Sequence, residues 1–260
     1  MSGQENLQIR VSLVLRFLDV FTNQPVDGAG LRVQIPGGAR PIRKAGGYFV
    51  FTGLSGETAS VWVEGPWYGR QVREVSLRRE GETVQVQTIR LFPNASCPLP
   101  EQTTCVYGQA EPGTLLAAYR PDGAYKRLLA NAEKGEETLS LFGQEKEDLE
   151  GSVFCILDAE KTEGEWVELA GLREEARGIY QLRRPLTKSH KKIGAKLVPV
   201  RWTQADAKGE YFLPLARWED GEAPYLLWGN QSGWNLSGKP EKRVLVGGAR
   251  NRLDWRETHG

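Results

Sequence analysis

Short hydrophobic segments with the two-residue period of β-strands recur along the chain and alternate with turn-forming residues. Residues 31–35 (Leu-Arg-Val-Gln-Ile) alternate strictly between apolar and polar side chains, as a strand with one buried face does. Glycine-containing turns at 22–28 and 45–47 interrupt this pattern. About seven such segments, spaced about 8–12 residues apart, fill residues 1–92, and this spacing is typical of a β-sandwich.

A second series of strand patterns begins after a proline-rich segment at residues 93–102. Pro93, Pro98 and Pro100 disfavour both a helix and pairing within a sheet. We therefore predict a first β-sandwich over 1–92, a linker over 93–102 and an enlarged second β-sandwich over 103–260. A division of this second domain near residue 186 is the alternative. The predicted fold class is all-β, with sandwich domains in tandem.

The face that the strand at 48–51 turns inward depends on which glycine before it makes the turn. Glycine at a turn permits positive φ, and alternate side chains of the next strand then fill the space between two sheets. With Gly47 as the turn residue, Phe49 and Phe51 point inward, and this is our choice. With Gly46 in that role, the neighbouring residues Tyr48 and Val50 point inward instead.

The composition is that of a globular protein and argues against several classes of partner. The chain has 260 residues, 26% of them charged, with a net charge of +1. It lacks the strong positive field of nucleic-acid binders, so no nucleic-acid partner is predicted. No apolar run approaches the ~18 residues needed to cross a bilayer, so no membrane insertion is predicted. The first residues carry no signal-peptide pattern, which predicts a cytoplasmic location.

The side chains that usually carry catalysis and metal binding are few and poorly spaced. His190 lies in a basic polar stretch and His259 is the penultimate residue, so neither is placed beside a nucleophile. Cys97, Cys105 and Cys155 have neither zinc-site spacing nor a nearby histidine, and free thiols are expected. We predict no catalytic residue, no metal site and no cofactor.

Eight tryptophans are the unusual feature of the composition. Three of them lie within strand patterns and are expected in the core: Trp62, Trp166 and Trp202. Others lie in predicted loops, where aromatic rings can anchor a protein partner or stack on a sugar. The predicted binding residues are Trp67, Tyr68, Trp228 and Trp234; covering the ends of the sandwich core is the alternative role for these rings.

Residues 17–77 resemble the carboxypeptidase-regulatory-like family of transthyretin-type sandwiches. The resemblance rests on an Asp-x-x-Thr-x-x-Pro-Val-x-Gly-Ala turn at 19–29, an aromatic strand after Gly47, and Leu54-Ser-Gly before the strand at 59–64. A looser match occurs at 203–213. The resemblance implies tandem transthyretin-like or immunoglobulin-like β-sandwiches. It carries no catalytic residues, because such modules usually serve as accessory, adhesive or scaffold units.

These features predict a non-enzymatic structural or adaptor protein whose partners are other proteins of a larger assembly. Modules of this family are common on exported surfaces, yet this chain shows no signal and has an odd number of cysteines. A particle assembled in the cytoplasm, such as a phage tail or a contractile injection machine, reconciles these facts. The alternative is a carbohydrate-binding module that uses its loop tryptophans, with a glycan as the partner.

Overall fold

The computed structural model describes residues 10–26, 30–37, 40–77, 84, 86–142, 149–159, 164–174, 177–217, 221–230 and 240–255. Its strands form several sheets, and no α-helix occurs within these ranges, so the all-β fold class is confirmed. The chain divides into two compact units, Met1–Pro98 and Leu99–Gly260. This boundary falls within the range 93–102 that the prolines predicted as a linker.

The first unit is a sandwich of a four-stranded and a three-stranded sheet. The four-stranded sheet has the order β3-β4-β1-β7, in which β1 and β7 are parallel, and the other sheet has the order β2-β5-β6. The strands are β1 (Val11–Asp19), β2 (Arg32–Gln34), β3 (Ile42–Lys44), β4 (Tyr48–Thr52), β5 (Thr58–Gly65), β6 (Tyr68–Ser76) and β7 (Val86–Leu91).

The core of the first unit lies between these two sheets, and β4 points the predicted face into it. Phe49 and Phe51 are completely buried, whereas Tyr48 and Val50 are only half-buried. The Phe17 and Phe49 rings meet edge to face with 5.1 Å between centroids, a geometry that aromatic pairs prefer. The choice of Phe49 and Phe51 as the inward residues is confirmed.

The turn before β4 depends on glycine for two reasons. Gly47 has a φ of +75°, and a Cβ atom there would lie 2.7 Å from the carbonyl oxygen of Val26. Gly53, after β4, has a similar φ of +68° but open space around it. Gly47 therefore meets both a conformational and a steric requirement, whereas Gly53 meets only the first.

We expect Gly47→Ala to lower the free energy of unfolding of the first unit by about 3 kcal/mol, and Gly53→Ala by about 1 kcal/mol. The difference arises because only the first substitution pushes a methyl group into a backbone oxygen. Urea unfolding of the two variants measures it. Equal losses would show that the φ strain alone matters and that the contact with Val26 relaxes without cost.

The second unit contains twelve strands within the described residues, arranged in a nine-stranded and a three-stranded sheet. They are β8 (Thr103–Gln109), β9 (Leu115–Tyr119), β10 (Lys126–Leu128), β11 (Thr138–Phe142), β12 (Val153–Leu157), β13 (Glu165–Glu174), β14 (Ile179–Leu182), β15 (Lys196–Gln204), β16 (Glu210–Arg217), β17 (Glu222–Asn230), β18 (Glu241–Val246) and β19 (Arg250–Arg252).

Six strands of the large sheet close into a small barrel. The order β10-β11-β14-β13-β12-β15 returns to its start because β10 also pairs with β15. Side chains from all six strands or the segments between them form one buried cluster, which includes Leu139, Ile156, Leu169 and Leu186. Strands on both sides of residue 186 belong to this closed ring.

The rest of the large sheet builds a second sandwich that shares β15 with the barrel. From β15 the sheet continues through β9, β17 and β18, and it shares a buried cluster with the small sheet β16-β8-β19. β9 and β12 are buried along their whole length, as strands covered on both faces are. The predicted enlarged sandwich is thus a sandwich joined to a barrel.

Candidate functional site

Two neighbouring residues predicted as loop anchors, Trp67 and Tyr68, have opposite environments. The Trp67 residue is 48% exposed in the turn between β5 and β6. Tyr68 begins β6 and is only 8% exposed, so its placement in a loop was wrong. The error arose because Gly-Pro before Trp67 was taken as a longer loop, whereas the hairpin is tight and pairs Gly65 with Tyr68.

The Tyr68 hydroxyl is used inside the first unit. It donates a hydrogen bond to Asp19 Oδ2 at 3.0 Å. The other carboxylate oxygen of Asp19 accepts hydrogen bonds from the backbone N–H groups of Phe21 and Thr22 and from the Thr22 hydroxyl. Burial, together with the Asp19 charge, raises the pKa of Tyr68 far above its ordinary value. The Asp-x-x-Thr segment at 19–22 therefore forms a turn whose aspartate also accepts a hydrogen bond from the first residue of β6.

We expect Tyr68→Phe to destabilise the first unit by about 1–3 kcal/mol, because it removes one hydrogen bond to a buried carboxylate without changing the packing. The measurement is chemical unfolding of the full chain. Tyr107→Phe in the second unit is the control, since that side chain is 37% exposed and should lose almost nothing. Equal losses of unfolding free energy in both variants would show that the Asp19–Tyr68 hydrogen bond does not stabilise the first unit.

Of the two C-terminal candidates, Trp228 and Trp234, the structure describes only Trp228. Trp228 lies in β17, is 5% exposed and packs against Trp166 with 5.6 Å between ring centroids. Its prediction as an exposed anchor was wrong, because Trp228 lies inside β17, which runs on to Asn230, and its ring packs in the core. Trp234 lies outside the described residues. Trp166 and Trp202 pack against the buried cluster that contains Trp228, in line with their predicted core positions.

Trp62 is the exposed aromatic residue that the sequence analysis assigned to the core. In β5, Val61 and Val63 point inward and are buried, so Trp62 between them points outward and is 37% exposed. Its cross-strand neighbours are Gln34 and Val72. The signal that could have revealed this was the alternation itself, since two small apolar residues flank the indole on a strand with one buried face.

Three adjoining grooves in the surface of the first unit are all lined by Trp62. Their volumes are about 630, 530 and 220 Å³. The largest lies between β2 and β3. It is also lined by Phe49 and Val33, by Pro36 after β2 and by Pro41 before β3. The smallest is also lined by Arg70, whose guanidinium carbon lies 4.4 Å from the indole centroid. We call this exposed concave surface, made of the three grooves around the indole, the Trp62 face.

Positive charge dominates the Trp62 face. Among the described residues that line the grooves, four are arginines (Arg32, Arg40, Arg43 and Arg70) and one, Glu64, is acidic. Arg32 and Glu64 form an exposed ion pair at 3.6 Å, which solvent and salt weaken. Arg43 donates a hydrogen bond to the Leu31 carbonyl oxygen at 2.6 Å and lies over the Phe49 ring.

The second unit contains a buried charged cluster around His190 that the sequence analysis missed. The His190 side chain is 1% exposed; its Nε2 lies 2.9 Å from Glu165 Oε2 and its Nδ1 lies 3.0 Å from Asp158 Oδ1. Glu165 also accepts hydrogen bonds from the Thr187 hydroxyl and from the N–H groups of Thr187 and Lys188. No local pattern pointed to this cluster, because its members lie on separate segments of the chain.

The two carboxylates around His190 favour a charged imidazolium. The hydrogen bond to Glu165 raises the pKa of His190, and Asp158 adds to it, which together outweigh the effect of burial. Burial raises the pKa of Glu165, but its hydrogen bonds from His190, Thr187 and Lys188 outweigh this and lower it overall. The two carboxylates and the ring link the segments that carry Asp158, Glu165 and His190.

The three cysteines are free thiols, and each has a pKa above its ordinary value. Burial raises the pKa of Cys97 and Cys105 to about 11 and that of Cys155 to about 12. Thiols with such pKa values are protonated at neutral pH and are poor nucleophiles. Within the described residues, no group of three or more His, Cys, Asp or Glu side chains is arranged to hold a metal ion.

Comparisons with known proteins leave the family of this chain open. No family model matches it, and no curated protein is significantly similar to it. One similar solved structure is that of a Streptococcal ancillary pilin, at 12% identity and a TM-score of 0.24 over 96% of this chain and 62% of the pilin chain. Another is the Bacillus anthracis TIE protein, at 10% identity and a TM-score of 0.25 over 94% of this chain and 50% of that one.

These likenesses are too low to carry an argument about function. The chain also spans only about 62% and 50% of the two proteins that it matches. In the part of the chain that the structure describes, no helix has the length and apolar character needed to cross a membrane.

Proposed function

We propose that this protein is a non-catalytic structural or adaptor protein that docks into a larger assembly through the Trp62 face. The observation that carries the proposal is the outward indole of Trp62 at the junction of three grooves. Tryptophan and arginine are the residues that most often dominate the binding energy of protein interfaces. Here Trp62 and Arg70 are in contact on the outer face of a sheet whose inner face packs on the core of the first unit.

The surroundings of Trp62 favour a protein partner over a sugar. A sugar ring stacks on the flat face of an aromatic side chain, and the Arg70 guanidinium already lies against one face of this indole. The neighbouring Val72 is 49% exposed and adds apolar surface on the same side of the sheet. An apolar centre flanked by arginines is typical of the core of a protein interface. Glycan binding remains an outcome that the experiment must test.

The state of the reactive side chains supports a role without catalysis. His190 is held between two carboxylates, and the three thiols have raised pKa values. His190, Cys105 and Cys155 are buried in the fold, and Cys97 is half-buried.

We extend the proposal to the setting in which the protein works. Three free cysteines suit a reducing compartment, which supports assembly in the cytoplasm and, with it, a phage tail or contractile injection particle as the larger assembly. A relationship to transthyretin-like modules is part of the same proposal. It is supported by the Asp19 turn, whose hydrogen bonds give the matched residues a structural purpose.

The test is quantitative affinity capture from the native source with Trp62→Ala, followed by binding measurements on the partner that is captured. We expect Trp62→Ala to weaken that binding about 30-fold, the size of a 2 kcal/mol interface anchor. Trp67→Ala should weaken it less. The side chain of Trp62 points away from the core, so the variant should keep the unfolding temperature of the wild type.

The matched control is Phe142→Ala, which removes a 68% exposed aromatic residue from the second unit. It should leave binding unchanged. Binding that survives Trp62→Ala but is lost in Phe142→Ala would contradict the proposal. A glycan array in parallel decides the alternative: Trp62-dependent binding to a sugar, with no protein captured, would establish the carbohydrate-binding function instead.

A further inference from the structure

We infer that the edge of β2 binds an extended, acidic polypeptide segment of the partner protein, which adds to the β2-β5-β6 sheet as a fourth strand. This inference rests on the proposed docking function and states the chemistry of the partner. It combines three observations in the largest groove: a strand edge with no neighbouring strand among the described residues, an excess of arginines, and accessible apolar surface. Together they restrict the kind of molecule that can bind in the groove.

The first observation concerns the backbone of β2. Among the residues that the structure describes, β2 pairs with β5 alone. On its other edge the carbonyl oxygen of Leu31 accepts a hydrogen bond from the Arg43 guanidinium. Because backbone groups alternate in direction along a strand, the N–H and C=O groups of Val33 face the same side as the Leu31 carbonyl. Such an edge is a template for another strand.

Arg43 occupies the place that a donor from an added strand would take. Its side chain crosses from β3 to the Leu31 carbonyl and lies over Phe49. An arriving strand can supply a backbone N–H to Leu31 and release the guanidinium to bind a carboxylate. The guanidinium bond to the Leu31 carbonyl is then replaced by a backbone N–H bond, and the released guanidinium gains an ion pair with a carboxylate, in which both partners are charged.

The second observation is the charge around this edge. None of the described residues that line the largest groove is acidic, whereas Arg32, Arg40 and Arg43 all line it. Arg70 lies next to Trp62 in the adjoining groove. Carboxylate side chains on the outer positions of an added strand complement this surface, and arginine binds carboxylates in a two-point geometry.

The third observation distinguishes a peptide from a polyanionic sugar. Trp62 and the half-buried Ile35 give the groove accessible apolar surface, with the buried Val33 and Phe49 beneath it. Alternate apolar side chains of a strand would contact this surface. A sulfated sugar offers charge but neither these side chains nor backbone donors for the β2 edge. The groove, at about 630 Å³, is a size that takes a few residues of extended chain.

The experiment uses a synthetic peptide of about eight residues with alternating glutamate and valine, labelled for fluorescence anisotropy against the full chain. We expect saturable binding that Arg40→Glu weakens at least tenfold. The matched control is Arg184→Glu, an exposed arginine of the second unit, which should change the affinity less than twofold. A peptide in which proline replaces each valine, and so lacks half of the backbone donors, should bind at least tenfold more weakly.

Nuclear magnetic resonance supplies the direct measure of strand addition. The Val33 amide should shift on binding and exchange with solvent more slowly, since the added strand accepts its hydrogen. Equal binding of the proline peptide, or equal Arg40-dependent binding of a sulfated oligosaccharide, would overturn the inference in favour of a simple polyanion site. The absence of peptide binding at about 1 mM would overturn it as well.

Peptide binding and partner capture test the added strand and the docking function separately. Loss of partner capture in Trp62→Ala, without peptide binding, would keep the docking function and reject the added strand. Capture that does not depend on Trp62 would reject the proposed docking surface, whatever the peptide does.

Discussion

Replacing Phe49 by alanine is expected to lower the free energy of unfolding of the first unit by about 3–5 kcal/mol. The ring is completely buried between the two sheets and meets Phe17 edge to face. The substitution removes that contact and leaves a cavity that β-sheet backbones on both sides cannot fill by relaxation. A domain of this size is commonly stable by only about 5–15 kcal/mol, so the loss is a large fraction of the whole.

The matched control is Tyr48→Ala, one residue earlier on the opposite face of β4. Tyr48 is half-buried, so the expected loss is about 1 kcal/mol. Urea unfolding of the full chain, with hydrogen exchange of β1 and β4 as the local reporter, separates the first unit from the second. A larger loss for Tyr48→Ala than for Phe49→Ala would mean that β4 turns its other face to the core.

Replacing Glu165 by alanine is expected to destabilise the second unit by about 3–5 kcal/mol. The carboxylate is buried and accepts hydrogen bonds from His190, Thr187 and Lys188. Its removal leaves a buried imidazolium and two backbone N–H groups without their acceptor. Glu168→Ala in the same strand is the control, because Glu168 forms only an exposed ion pair with Arg183 and should lose less than about 1 kcal/mol.

The contribution of the His190 cluster should also depend on pH. The pKa of His190 is raised, so its stabilisation is present below the ordinary value of 6.5 and is lost as the pH rises through the raised value. The pKa of Glu165 is lowered, so its stabilisation is present above the ordinary value of 4.5 and is lost as the pH falls through the lowered value. The difference between wild type and Glu165→Ala should therefore be largest between pH 4.5 and 6.5.

Proton resonances of the histidine rings provide an independent check of this dependence. The chain has only two histidines, so the signal of His190 can be assigned by substituting His259. We expect His190 to titrate above the ordinary histidine range in the wild type and to move down in Glu165→Ala. A stability difference that is constant from pH 5 to 9 would show that the imidazolium is not what holds the cluster together.

Local periodicity in the sequence was sufficient to predict the strands and much of their orientation. The all-β class and the inward face of β4 at Phe49 and Phe51 both follow from it. These are properties of short segments, because side chains two residues apart share a face and glycine or proline breaks the pattern where it occurs. The same rule applied to Val61 and Val63 would have placed Trp62 on the surface.

The tertiary structure decided what depends on segments far apart in the chain. β10 closes the barrel by pairing with β15, His190 meets Glu165 and Asp158, and the β2 edge meets Arg43 beside Trp62. No periodic pattern encodes such partners, because several strands of similar composition could pair at comparable energy, and only the packing of the whole core selects among them. For the same reason the burial of Tyr68 and Trp228 became visible only once their neighbouring strands were in place.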